Sequence, residues 1–161
     1  HMRIADHAMM QGDIASPDDC YLALRGLRTF SLRVPRHFES AVKVASWLSN
    51  RDEVNRVLYP PLPSDPGHEL WRRDVGGGAS LFGVVLEKDN LDSIRRLVDG
   101  LELFKIGSSW GGFESLVAAY LTPIEREVVP WTECSVLLRF HIGLEDPDDL
   151  ISDLEAGLKR L

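Results

Sequence analysis

Apolar residues recur three or four positions apart in four segments of the chain, the spacing that places them on one face of a helix. The segments run over about 16–27, 38–49, 90–101 and 146–158. Ser16, Asn90 and Asp146 begin three of them, and their side chains are typical of residues that cap a first helical turn. Pro35 precedes the second segment, where it either kinks one long helix or separates two shorter ones.

A second pattern, the alternation of apolar and polar residues, indicates strands. It is clearest near the end of the chain, where every second residue from Val136 to Ile142 is apolar. Shorter apolar runs predict three further strands, at 54–59, 80–87 and 103–108. The strands at 54–59 and 80–87 are separated by three features: a proline-rich turn at 60–67, one or two helical turns at 68–74 and a glycine link at 76–78. The sequence therefore predicts an α+β fold with about four strands and with helices packed on one face of the sheet.

Composition and charge narrow the range of functions. The 161 residues suffice for one domain with its own core, and 44% hydrophobic with 27% charged residues is ordinary for a soluble globular chain. The net charge of −7 argues against non-specific binding to nucleic acid and against binding to an anionic membrane surface. No apolar run is long enough to span a membrane, and no secretory signal is visible.

The two cysteines, Cys20 and Cys134, are far apart in the sequence and form no CxxC motif. They predict reduced thiols and a cytoplasmic location rather than a disulfide. The opening pair His1-Met2 is typical of residues left by cloning, and 3–15 reads as a frayed helix or a disordered lead-in. We therefore divide the chain into a scar and lead-in segment, residues 1–15, and one domain, residues 16–161.

The stretch IGSSWGGFESL, residues 106–116, follows a predicted strand and combines small residues with hydrogen-bond donors. It offers the main-chain N–H of Ser109 and the indole N–H of Trp110, and its glycines permit a close approach of the backbone. These features are typical of a loop that holds a small anion. The alternative is a glycine turn with a packed tryptophan, which the loop considered alone favours slightly.

Arg139 lies in the middle of the last predicted strand, on the face opposite its apolar residues. A guanidinium on a rigid strand can bind a carboxylate through two hydrogen bonds, which a lysine cannot do. The alternative is a partly exposed arginine paired with a nearby acid, and the pattern alone favours that alternative. His141 shares the face of Arg139 and is more typical of a structural hydrogen-bonding residue than of a base.

Other motifs predict no further chemistry. The GGGAS segment, residues 76–80, lacks the GK[ST] ending of a phosphate-binding loop, and no GxSxG motif is present. The histidines have no spacing typical of metal ligands, so no metal site is predicted. The acidic run EDPDD, residues 145–149, is interpreted as a helix cap.

Several separated segments resemble the cystathionine β-lyase branch of the Cys/Met-metabolism enzymes, which depend on pyridoxal 5′-phosphate (PLP). The segments are RGLRT (25–29), HFESAVKVASWL (37–48), VLYPPLP (57–63), GHELWRRD (67–74), LFKIGSSWGGFESL (103–116) and LRFHIGLEDPDDLISDLEAG (138–157). They occur in the family's order and extend from about Ser16 to the C-terminus. The resemblance implies the small C-terminal domain of the aspartate-aminotransferase-like fold, with a mainly antiparallel sheet.

In this family the larger N-terminal domain supplies the lysine that binds PLP covalently, together with the other cofactor contacts. Lys43, Lys88, Lys105 and Lys159 do not lie in the serine- and threonine-rich setting of that lysine. The resemblance therefore implies an isolated C-terminal domain that is inactive alone, binds no PLP covalently and belongs to a homotetrameric enzyme. It also predicts that an apolar face is exposed on the fragment and promotes self-association, for which residues 16–50 are the candidate segment.

The resemblance assigns a role to the loop and the arginine. It implies that Arg139 binds the α-carboxylate of an amino-acid substrate, assisted by the main chain of Ser109 and the indole N–H of Trp110. The implied reaction converts L-cystathionine to homocysteine, pyruvate and ammonia, a step of methionine biosynthesis and transsulfuration.

Trp110 favours the β-lyase branch, because relatives that act at the γ-carbon usually carry leucine in the corresponding loop. Ser108 departs from the tyrosine of many bacterial β-lyases, which leaves the substrate preference open. Two alternatives to a β-lyase are a γ-synthase or γ-lyase relative and a free-standing module that binds a carboxylate without catalysis.

Overall fold

The computed structural model describes residues 2–87, 90–121, 124, 126–132 and 136–161. It divides the chain into two compact units, His1–Arg33 and Val34–Leu161. Cys20 in the first unit is a free, exposed thiol. Cys134 and Lys88 lie outside the described residues, so the state of the second thiol stays a prediction.

The first unit contains two helices, α1 (Met2–Gln11) and α2 (Pro17–Leu27). The predicted start of α2 is confirmed: the Asp19 N–H donates to Ser16 Oγ at 3.1 Å, and the Ser16 N–H donates to the Asp19 carboxylate at 3.3 Å. The α2 helix has no buried residue. Exposed apolar side chains are numerous in this unit: Ile4, Met9, Met10, Ile14, Tyr21, Leu22, Leu24, Leu27, Phe30 and Leu32. Self-association through such side chains stays a prediction.

Helix α3 (Phe30–Leu48) is longer than the 38–49 segment predicted from apolar spacing. Pro35 lies inside it, so one long helix forms here rather than two short ones. The buried residues of α3 begin at His37 and end at Leu48. The turns before His37 bury nothing, which is why the apolar pattern did not indicate them.

The second unit is built on a five-stranded sheet, in the order β1-β2-β5-β4-β3. The strands are β1 (Val54–Leu58), β2 (Leu81–Leu86), β3 (Lys105–Ile106), β4 (Leu116–Tyr120) and β5 (Leu137–His141). All neighbours pair antiparallel except β3 and β4, which are parallel. The remaining helices are α4 (His68–Asp74), α5 (Leu91–Asp99) and α6 (Pro147–Leu158). The predicted α+β class and mainly antiparallel sheet are confirmed, and the sheet has five strands where about four were predicted.

The core lies on one face of the sheet. Val84, Leu138 and Phe140 are each at most 1% exposed and form one apolar cluster with side chains of α3, α5 and α6. Strand periodicity places Arg139 and His141 on the opposite face. The direct neighbours of Arg139 across the sheet are small, Gly83 on β2 and Ala118 on β4. Among the described residues, none of the helices combines the length and the apolar character that crossing a membrane requires.

Strand β3 is shorter than the predicted 103–108 because a side chain of α6 takes the hydrogen bonds of the preceding residues. The Asp153 carboxylate accepts from the N–H groups of Glu102 and Leu103 at 2.9 Å and of Phe104 at 3.3 Å. These N–H groups are therefore satisfied without a neighbouring strand. Asp153 fixes the chain as it enters β3 and the loop that follows.

We expect Asp153→Ala to lower the free energy of unfolding by about 2 kcal/mol, since hydrogen bonds to a charged group contribute about 1.5–3 kcal/mol. Chemical denaturation of the two proteins measures this difference. The control is Glu155→Ala on the same helix, which removes only an exposed ion pair to Lys159 at 3.8 Å. Equal effects of the two substitutions would contradict a role for Asp153 in holding the segment before β3.

Candidate carboxylate-binding site

The predicted anion-binding stretch forms the loop between β3 and β4, residues 107–115, here called the β3–β4 loop. Its ends are fixed because β3 and β4 pair directly, with Lys105 opposite Leu116 and Ile106 opposite Val117. Gly111 has φ of +81°, a left-handed conformation that residues with a side chain rarely adopt. The loop thus leaves the sheet and returns to it through a turn that depends on glycine.

Arg139 on β5 contacts this loop directly. Its Nη2 donates to the carbonyl oxygen of Ser108 at 2.6 Å. Within the described ranges this is the one hydrogen-bond partner of the guanidinium, whose other N–H groups remain available to a ligand. The arginine therefore lies beside the peptide that leads into Ser109, and it forms no ion pair with an acid among the described residues.

Ser109 and Trp110 are both exposed, and the Trp110 side chain is 67% accessible. In the described part of the chain, neither side chain has a hydrogen-bond partner. The tryptophan is therefore not packed into the core, which was the alternative interpretation of this loop. The structure brings Arg139 against Ser108, the residue that directly precedes Ser109 and Trp110.

The far end of the loop is held by residues that the sequence analysis did not identify as part of the site. Ser115 is fully buried, and Glu145 accepts from its N–H at 2.7 Å and from its hydroxyl at 2.8 Å. The Gly143 N–H donates to Ser115 Oγ at 2.8 Å, and the Leu144 N–H donates to Phe113 O at the same distance. The segment after β5 therefore holds the loop at both its main chain and its side chains.

The sequence pattern predicts that Glu145 belongs to a helix cap together with the acids that follow it. The structure separates the two roles, since Asp146 caps α6 by accepting from the Asp148 N–H at 2.8 Å. The only signal for Glu145 in the sequence is its position two residues after a glycine at the end of a strand. That signal does not identify Ser115, which lies thirty positions earlier.

His141 lies beneath the middle of the loop and is 1% exposed. Its Nε2 is 3.1 Å from the carbonyl oxygen of Gly112, and its Nδ1 is 2.8 Å from Ser80 Oγ. Burial is the main cause that lowers the pKa of His141 below its ordinary value of 6.5, and the hydrogen bond to Gly112 opposes it. His141 is thus a buried residue that makes structural hydrogen bonds, as the sequence favoured.

The described residues do not fit a covalent PLP site. Their three lysines are exposed, and each has a partner on the surface. These contacts are Lys43 with Asp148 at 2.7 Å, Lys105 with the Glu102 carbonyl at 2.6 Å, and Lys159 with Glu155 at 3.8 Å. No group of three or more histidine, cysteine or acidic side chains among the described residues could hold a metal ion. Arg139 and the β3–β4 loop present hydrogen-bond donors: the guanidinium, the Ser109 main-chain N–H and the Trp110 indole N–H.

Comparisons with known proteins identify the family of the chain. The family model described as Cys/Met metabolism PLP-dependent enzyme matches residues 1–159. Cystathionine beta-lyase MetC of Escherichia coli (strain K12) is 41% identical over 163 residues, which cover 99% of this chain and 41% of that protein. A putative cystathionine beta-lyase of Rhizobium johnstonii is 46% identical over 151 residues, covering 91% of this chain and 38% of the relative.

A solved structure shares the fold. It is cystathionine gamma synthase from Xanthomonas oryzae pv. oryzae in complex with cystathionine, with a TM-score of 0.77 and 38% identity over 91% of this chain and 39% of that one. The chain spans about two fifths of the length of the relatives it matches. The resemblance drawn from the sequence motifs is confirmed: this chain belongs to the family of PLP-dependent enzymes of cysteine and methionine metabolism.

Proposed function

We propose that this chain supplies the substrate α-carboxylate site of a PLP-dependent carbon–sulfur lyase of the cystathionine β-lyase type. The reaction is the conversion of L-cystathionine to homocysteine, pyruvate and ammonia. The observation that carries the proposal is the contact between the Arg139 guanidinium and Ser108 O, beside the exposed Ser109 and Trp110. A charged donor whose other N–H groups have no partner among the described residues, next to a loop of further donors, suits a carboxylate.

In this proposal Arg139 binds the carboxylate, because it carries the positive charge and a planar pair of donors. The Ser109 main-chain N–H and the Trp110 indole N–H add neutral donors. The strand holds Arg139 in place and the bond to Ser108 O limits its rotation, so binding the substrate costs less conformational entropy. PLP, when bound, supplies the electron sink for the bond cleavage. The residues of this chain bind and orient the substrate.

The β-lyase assignment is supported by the two relatives reported above and by Trp110 in the loop. The structural match to a cystathionine gamma synthase favours one alternative, a γ-branch enzyme that shares the same carboxylate site. The products separate the two. A β-lyase forms pyruvate and homocysteine from L-cystathionine, whereas cleavage on the γ side forms 2-oxobutyrate and cysteine.

A chimera tests the proposal. In it, this chain replaces the matching segment of Escherichia coli MetC, to which it is 41% identical over 163 residues. We expect the chimera to release pyruvate and homocysteine from L-cystathionine. We expect the isolated chain, mixed with PLP, to release neither product and to carry no PLP after borohydride reduction and gel filtration. Products from the γ side would support the alternative.

A chimera that folds and binds PLP but forms no product from L-cystathionine would contradict the proposed function. Turnover by the isolated chain would contradict the assignment of the covalent PLP site to another segment. Thermal melting and the absorbance of bound PLP establish that the chimera is folded, so a negative result is interpretable.

A further inference from the structure

The β3–β4 loop rests on a histidine that takes no direct part in binding the carboxylate. His141 is paired across the sheet with Leu81 on β2 and Leu116 on β4, so its ring is held between two aliphatic neighbours. It contacts the main chain of both Gly111 and Gly112. These two residues follow Trp110 directly in the loop.

The contacts of His141 determine which nitrogen carries the proton. The Gly112 carbonyl oxygen can only accept a hydrogen bond, so Nε2, at 3.1 Å, must be the donor. The Gly111 N–H can only donate, so Nδ1, at 3.5 Å, must be an acceptor. The Ser80 hydroxyl, 2.8 Å from Nδ1, can donate to the same lone pair. All three contacts are satisfied together by one form of the ring, which is uncharged with its proton on Nε2.

We propose that uncharged His141 is a positioning residue for the carboxylate-binding loop, and that protonation of His141 releases Gly111 and weakens carboxylate binding. The part of this inference that concerns the carboxylate rests on the proposed function. The part that concerns the loop depends only on the contacts of the ring.

A second proton on the ring would sit on Nδ1. The Ser80 hydroxyl can rotate and accept from it, because a hydroxyl is both donor and acceptor. The Gly111 N–H cannot, so two hydrogens would face each other and the contact would be lost. Gly112 keeps its bond, because Nε2–H is present in both forms. Protonation of His141 therefore breaks the contact with Gly111 and leaves the contact with Gly112 intact. Gly111 is the residue of the loop that has a left-handed backbone conformation.

Charged and titratable groups around the ring determine how readily it takes up that proton. Those that influence it are His37 on α3, with ring centroids 5.6 Å apart, Arg139 on β5 and Glu145 before α6. The other neighbours of the ring carry no charge: Ser80, which precedes β2, and Leu81 on β2 and Leu116 on β4. His37 and Arg139 oppose a charge on His141, Glu145 favours it, and burial, which also opposes it, is the largest influence and places the pKa below 6.5.

The direction of the pH effect follows from this lowered pKa. The unfolded chain takes up the proton near pH 6.5, whereas the folded chain resists it until a lower pH. The stability that His141 provides is therefore complete above 6.5 and is lost as the pH falls from there through the lowered pKa of the folded state. Loss of the contact between His141 and Gly111 should have the same midpoint as the titration of His141 in the folded chain.

Nuclear magnetic resonance of the ¹⁵N-labelled full chain tests the proposal. Long-range couplings within the imidazole report which nitrogen of His141 is protonated, and the amide signals of Gly111 and Gly112 report on the loop. Two variants complete the design. His141→Gln keeps an amide that can donate toward Gly112 but does not titrate. His68→Gln removes a partly buried histidine whose Nδ1 is 2.9 Å from the Pro60 carbonyl oxygen.

We expect the uncharged Nε2–H form of His141 at neutral pH, and a shift of the Gly111 amide with the same midpoint as the ring, below 6.5. This shift should disappear in His141→Gln and persist in His68→Gln. A proton on Nδ1 at neutral pH, or a Gly111 amide that does not follow the ring, would overturn the proposal. If His141→Gln does not fold, the titration of the His141 ring and the Gly111 amide in the unaltered chain still tests the proposal.

A ligand titration extends the test to binding, with L-alanine as the probe because its carboxyl stays ionised throughout this range. In the unaltered chain we expect the affinity to be about threefold or more lower at a pH where the His141 signals have titrated than at about pH 7.5, and we expect no such fall in His141→Gln. An affinity that is independent of pH in the unaltered chain would overturn the effect on binding. If L-alanine binds at neither pH, the proposed function fails, while the amide signals decide the role of His141 separately.

Discussion

Arg139→Lys is expected to lower kcat/KM of the active chimera for L-cystathionine by about 100-fold, and most of the loss should appear as a higher KM. A lysine retains the charge but loses the planar pair of donors and the bond to Ser108 O at 2.6 Å. Hydrogen bonds between charged groups contribute about 1.5–3 kcal/mol, and about 1.4 kcal/mol corresponds to a factor of ten. Steady-state kinetics with a range of L-cystathionine concentrations measures both parameters.

Arg72→Lys is the matched control. Arg72 lies on α4 and makes an exposed ion pair with Glu69 at 2.7 Å, which a lysine can replace. We expect this variant to have unchanged kinetics. An Arg139→Lys variant with the KM of the unaltered chimera, and with the same melting temperature, would show that the carboxylate is bound elsewhere.

The sequence predicted best those elements in which the local apolar pattern marks the same residues that are buried in the core. Apolar residues occupy every second position through strand β5, and helix α6 has both a capping residue and an apolar stripe. Strand β4 was missed because its central residues, Ala118 and Ala119, show no contrast between polar and apolar positions. Its place in the sheet depends on β5, which is a partner distant in the sequence.

In the candidate site, too, the local sequence predicts individual residues but not their contacts with residues that are distant in the sequence. The donors of the loop and the position of Arg139 on a strand follow from the sequence, but spacing alone did not bring them together. The family resemblance supplied that link, and the contact of Arg139 with Ser108 O supports it. The residues beneath the loop, His141 and Glu145, act on partners about thirty positions away, and no local pattern indicates such partners.

Gly143→Ala is expected to destabilise the second unit by about 3 kcal/mol, because overpacking typically costs about 1–3 kcal/mol and contact with fixed main-chain atoms favours the upper end of that range. A methyl group at this position would overlap Phe113 O and a carboxylate oxygen of Glu145, and it would lie 2.7 Å from the carbonyl carbon of Glu114. Two of these atoms belong to main chain that cannot rotate away. The β3–β4 loop would have to move outward and lose its bonds to the segment after β5.

The melting temperature measures this effect, and a loss of about 3 kcal/mol corresponds to roughly 6–12 °C in a chain of this size. The control is Gly112→Ala in the same loop, where an added methyl group meets nothing within 4 Å and the backbone is not left-handed. We expect that variant to melt close to the unaltered chain. If the two alanine variants melt at the same temperature, the loop is not held against Gly143, and the contacts that bring the Ser109 and Trp110 donors toward Arg139 must lie elsewhere.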